Sequence, residues 1–222
     1  MIFKSFIIEK NISLLDNYNA ILFYGENIGL KDDFKDIIKK QSKDADKIFF
    51  QQTEIIKNPN LLDEQFFNNS LFSKRKIIFI SNFTDKLKNN IINLTEKTNN
   101  DTKIVLFADI LDKKSTSRTY FEKANNLAII PCYQDNEKSL SIYLRDKLNN
   151  YQGLNQELMN ILIKNSGMDR KVLAQEIEKI KGLFSSKKIE QNKIMNLINN
   201  VYNLDFENLR DSCFEANKKD LN

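Results

Sequence analysis

Five short apolar runs mark the first part of the chain, at 20–24, 47–50 (where Lys47 leads Ile48-Phe49-Phe50), 77–80, 104–107 and 128–130. Continuous rather than alternating runs of this length predict strands buried on both faces. Between them, apolar residues recur at helical spacing over 30–40, 61–68, 87–95 and 115–124. Strand–helix alternation at this interval predicts right-handed crossovers and a mainly parallel sheet covered on both sides. The pattern changes after Cys132, where only helical periods follow, at 140–148, 157–164, 172–181 and 193–201. Asn165-Ser166-Gly167 reads as a helix stop and Ser185-Ser186 as a short connection. The expectation is an α/β domain over 1–135 and a small helical bundle over 136–202. A final period over 205–219 sets Phe206, Leu209, Cys213 and Phe214 on one helical face that nothing later in the sequence can cover. Such an orphan face over 203–222 implies a missing partner, either another subunit or the rest of a third domain whose first helix this would be, in a chain expected to be cut short.

Composition removes classes of function rather than naming one. At 222 residues and 41% hydrophobic, the chain can bury a substantial core. Thirty-four basic against 30 acidic residues leave +4, which is no footprint of an autonomous DNA binder. Cys132 and Cys213 lie far apart without metal-ligand spacing, and a cytoplasmic protein with reduced thiols is expected. No apolar run approaches the roughly 18 residues that a membrane helix requires, so no membrane partner is expected. Histidine is absent altogether, which removes the commonest general base and the commonest zinc ligand together. Glu176 and Glu178 alternate with Lys171, Lys179 and Lys181 on one helix, a solvated face rather than an acid–base pair. No catalytic site, metal or cofactor is expected.

Three segments carry candidate chemistry. Residues 23–33 give a strand, a glycine turn and a helix start, where a phosphate-binding loop would sit. Such a loop needs G-x-x-x-x-G-K-[ST]. Gly25 and Gly29 are one residue too close, Lys31 does not follow the second glycine, and Asp32 and Asp33 are assigned to the first helical turn, where they repel phosphate. Arg118, after a buried strand, reads either as a surface arginine at a helix start or as an arginine finger for a neighbour's nucleotide. The third segment joins a helix to the strand at 77–80. There Leu71-Phe72, preceded by Ser70, stands among Asn, Ser and Lys residues where a polar turn would be ordinary. The pair reads either as a small satellite of the core or as an anchor held out for a pocket on another protein. The basic triplet Lys74-Arg75-Lys76 and the pair Lys113-Lys114 keep a nucleic-acid-binding module open as an alternative, as the glycine turn does for a nucleotide-binding one.

Taken in order, these segments resemble the delta subunit of bacterial DNA polymerase III, the clamp-opening subunit of the clamp loader. Phe23-Tyr24-Gly25-Glu26 is similar to the family's first strand and degenerate phosphate loop, and Ser70-Leu71-Phe72 with Lys74-Arg75 to its clamp-contacting segment. Val105-Leu106-Phe107-Ala108 with Leu111-Asp112-Lys113-Lys114-Ser115 resembles a later strand and turn. Gly167-Met168-Asp169 and Glu176-Ile177-Glu178-Lys179-Ile180 resemble helices of its second domain. The resemblance implies an AAA+-like α/β domain with a dead nucleotide site, then a lid-like helical bundle and the start of a C-terminal collar domain. It implies a subunit of the polymerase holoenzyme that binds and opens the sliding clamp (beta) without hydrolysing ATP. Delta-prime and gamma/tau subunits would be its partners, and it would meet primed DNA only within the complex. Leu71 and Phe72 would be the plug, with Ser70 and the helix over 61–69 as support. On this resemblance only the first helix of the family's collar domain is expected in this sequence, from about 205, and the related non-opening subunits carry a cysteine cluster or a Ser-Arg-Cys finger that this sequence lacks.

Overall fold

The computed structural model describes residues 1–68, 75–96 and 101–195. Its strands are β1 (Ala20–Tyr24), β2 (Ala45–Gln51), β3 (Arg75–Ser81), β4 (Thr102–Ala108) and β5 (Leu127–Pro131). The helices are α1 (Ser5–Lys10), α2 (Ile28–Gln41), α3 (Gln52–Lys57), α4 (Asn60–Phe67), α5 (Lys88–Glu96), α6 (Thr116–Lys123), α7 (Glu137–Lys147), α8 (Gln156–Asn165) and α9 (Arg170–Leu183). The chain divides into two compact units, the first Met1–Gln134 and the second beginning at Asp135.

In the first unit the strands form one parallel sheet in the order β2-β3-β4-β1-β5. Side chains alternate across it, so each central strand feeds two cores. Leu22, Ile78, Ile80, Ile104 and Leu106 pack under α4, α5 and α6 through Leu62, Phe66, Ile91, Leu94 and Phe121. Ile21, Phe23, Phe79 and Val105 pack under α1 and α2 through Ile8, Leu30, Phe34 and Ile38. Both faces are covered, which is why β1 and β4 read as unbroken apolar runs. The strand at 47–50 corrects the expectation of full burial: β2 is the edge of the sheet, and Phe49 is 47% exposed. An unpaired edge leaves one flank of each residue to solvent. Phe49 ends a row of stacked rings running through Phe79, Phe107 and Phe23, and Lys35 and Lys39 cover it at 5.3 and 5.8 Å. At the other edge Ile2 bridges Ile129, so the first residues shield β5.

In the second unit α7, α8 and α9 pack around Leu140, Leu144, Leu158, Leu162, Leu173 and Ile177. Asn136, Asn155 and Asp169 cap the three helices, each accepting amide hydrogen bonds from the first turn. Arg170, at the start of α9, forms a two-pronged ion pair with Asp135 at 2.7 and 2.9 Å, and its guanidinium lies 4.6 Å from the Tyr143 ring centre. Residues 191–195 begin a further helix; 196–201 of the expected 193–201 helix and all of 203–222 lie outside the described residues. No helix among the described residues is long and apolar enough to cross a membrane.

Candidate functional site

The carboxyl ends of β1, β4 and β5 converge on the glycine turn, where ligands of open parallel sheets usually bind. Gly25 has φ +133°, and a Cβ there would stand 2.2 Å from the Cys132 carbonyl oxygen, so only glycine fits. The turn is then tied down on both sides. The Gly25 amide donates to the Asp109 carbonyl at 3.2 Å and the Asn27 amide to the Cys132 carbonyl at 3.1 Å. Asn27 also caps α2, accepting from the Leu30 amide at 2.9 Å, and its side-chain NH2 donates to the Tyr133 carbonyl at 3.1 Å.

Lys31 completes the closure. Its side chain is buried, and Nζ donates to the Gly25 carbonyl at 2.8 Å, the Ala108 carbonyl at 2.9 Å and Asp109 Oδ1 at 3.3 Å. A working phosphate loop presents its amides and its lysine outward to the anion. Here the Gly25 and Asn27 amides and the lysine all turn inward to protein oxygens. One expectation is corrected in the same place. Asn27 starts α2 at Ile28, so Asp32 and Asp33 fall beyond the first turn, which holds no acidic residue. The electrostatic objection to phosphate therefore comes from the internal engagement of Lys31, not from those carboxylates.

The turn before α6 is also internally satisfied. Asp85 accepts from the Ser115 hydroxyl at 2.8 Å and from the Thr116 and Ser117 amides at 3.0 and 2.9 Å. Partial burial pushes its carboxyl upward, but these hydrogen bonds outweigh it and hold the group at about 2. Arg118 pairs with Glu122 at 2.8 Å, donates to the Leu111 carbonyl at 3.1 Å and lies 5.2 Å over the Tyr24 ring. These contacts fit the reading of an internally held arginine at a helix start better than that of a finger held out to a neighbour.

Ser70, Leu71 and Phe72 lie outside the described residues, as does Lys74. The flanking positions are described. Phe66 is buried under the sheet, while Phe67, in edge contact with it at 5.2 Å, is 46% exposed. Lys76, read in the sequence as part of a basic surface triplet, is buried. That removes a charge from the patch on which the nucleic-acid alternative leaned. Sequence reading missed Asn27, Asp109 and Cys132 as the partners that close the glycine turn. The one signal available was a lysine one helical turn past the cap, close enough to fold back.

No family model and no sequence of a characterised protein matches the chain. Its fold is similar to that of the Bacillus subtilis DNA clamp loader delta protein, with a TM-score of 0.61 and 15% identity over 98% of this chain and 69% of that one. Domain III of the Thermotoga maritima replication initiation protein DnaA gives a TM-score of 0.48 at 13% identity, over 88% of each chain. Caenorhabditis elegans PCH-2 gives 0.48 at 10%, over 87% of this chain and 63% of that one. The architecture is that of an AAA+-like parallel-sheet domain followed by helices.

Proposed function

We propose that this chain is a clamp-loader subunit that binds a sliding clamp and opens it without hydrolysing ATP. The observation that carries the proposal is the AAA+-like fold, similar to that of a clamp loader delta protein, whose phosphate loop is filled from within by Lys31. An ATPase has no use for a loop whose lysine and amides are committed to its own carbonyls, whereas a binding subunit keeps the scaffold and loses the chemistry. The order of sequence motifs supplies the second support, with Leu71 and Phe72 as the apolar plug and Ser70 beside them. Burying two such side chains in a pocket contributes about 1.5–3 kcal/mol each before association costs, enough to anchor a contact. Opening a ring further requires contacts that are better with the strained clamp than with the closed one. Delta-prime and gamma/tau subunits are the partners this reading assigns, with DNA engaged only in the assembled loader.

The test is a titration of the wild-type chain and Leu71→Ala/Phe72→Ala against the sliding clamp of the same organism, with thermal melts of both. Micromolar or tighter binding is expected on the scale of an anchored interface, lost in a variant that melts with the wild type. A double mutant that melts early, or a wild type that ignores the clamp, would assign the pair to core packing.

A further inference from the structure

Lys76 and Thr102 stand opposite one another in the β3–β4 register, two residues before Ile78 and Ile104 on the face that α4 covers. Lys76 is 7% exposed, an unusual condition for a lysine. Its ammonium donates to the Gln65 carbonyl at 2.6 Å and to the Asn68 carbonyl, and Thr102 Oγ1 donates to the Phe66 carbonyl at 3.4 Å. These three oxygens belong to the last turn of α4 and its cap, where a helix has no internal donors left. A cation there also meets the negative end of the helix dipole. Docking of α4 onto the sheet does not need the ammonium, because Leu62 and Phe66 already supply buried apolar contact. What the ammonium adds is a fixed end. Asn68, the cap residue, has left helical geometry with ψ 120°, so the chain departs from α4 at the atom that Lys76 holds.

We propose that Lys76 is a positioning residue: it fixes the end of α4 at Asn68, and so tunes binding by the clamp-contacting segment proposed at 70–72. This rests on the clamp-binding reading given above. The variant Lys76→Met keeps the length of the stem and removes the charge, and Lys76→Arg restores donors. Ile130→Val in β5, fully buried in the other core, serves as a destabilised control.

Two readouts keep the failures apart: affinity for the sliding clamp at a temperature where every variant is folded, and amide exchange over residues 64–68 in the free chain. Lys76→Met is expected to weaken clamp binding by about tenfold and to speed exchange at those amides by a similar factor, as loss of charge-assisted hydrogen bonds predicts. Lys76→Arg should recover part of both, and Ile130→Val should bind like the wild type. Unchanged exchange in Lys76→Met would overturn the fixed end, and faster exchange with undiminished affinity would overturn its bearing on binding. If the wild type itself does not bind the clamp, the clamp-binding reading fails and the bearing on binding with it, while the exchange result still decides the fixed end.

Discussion

Lys31 carries its charge into the protein rather than out toward a ligand, and the three oxygens that receive it belong to the ends of two neighbouring strands. Removing the ammonium leaves buried carbonyls without a donor. Lys31→Met should therefore cost about 2–3 kcal/mol of stability, read by urea unfolding with an unchanged m-value. The same variant should gain no ATP affinity, because the Gly25 and Asn27 amides remain bound to Asp109 and Cys132. Millimolar or tighter ATP binding by either protein in a calorimetric titration would contradict this. The sequence displayed the broken glycine spacing but not its consequence. Gly25 and Gly29 are visible as letters, whereas the role of Lys31 depends on the Ala108 carbonyl and the Asp109 carboxylate, brought alongside by the sheet. Lys76 is the parallel case, a lysine that looks solvated until its helix-end partners are in place.

Elements are tied to one another by a few polar groups whose removal has a calculable sign. Asp85 binds the start of α6, and its carboxyl is held at about 2, below the ordinary 3.8. A carboxylate with a depressed folded-state pKa contributes stability above pH 4, lost as pH falls through about 2. Asp85 is exposed to solvent, so screening limits the contribution to about 1 kcal/mol. Asp85→Asn should flatten the stability profile between pH 4 and pH 2 and change little of its slope at neutral pH. In the second unit, Arg170 and Asp135 are both almost fully buried, with side chains 3% and 5% exposed. Arg170→Met strands a buried carboxylate and should cost about 3–5 kcal/mol, of which a second change, Asp135→Leu, should restore a large part. A double-mutant cycle by chemical unfolding measures both. At this scale the long apolar periods were legible, because α2, α8 and α9 each bury one clear stripe. The short helices α1 and α3 were not, at six residues each. Six residues span fewer than two turns, too few for a period to register. The α3 start is set instead by reciprocal capping between Gln51 and Glu54. Edge position misled the reading of β2, since Ile48-Phe49-Phe50 looks like a core strand until β2 is seen to be the outermost strand among the described residues.

For the whole molecule, fold class was readable because continuous apolar strands can only be buried on both faces, and that requirement forces helices onto both sides of a parallel sheet. The proposed contact with a partner rests on a misfit in the sequence, two large apolar residues in a polar connection, and its meaning depends on a protein outside this chain. A clamp interface anchored by apolar plugs should weaken little between 50 and 200 mM salt, whereas DNA binding through phosphates would fall steeply over that range. The most direct test of the central claim is release of the sliding clamp from nicked circular DNA, followed after adding this chain in the absence of any nucleotide. The account predicts faster release with the wild type and none beyond background with Leu71→Ala/Phe72→Ala. Release that requires ATP, or that the double mutant promotes equally well, would contradict it.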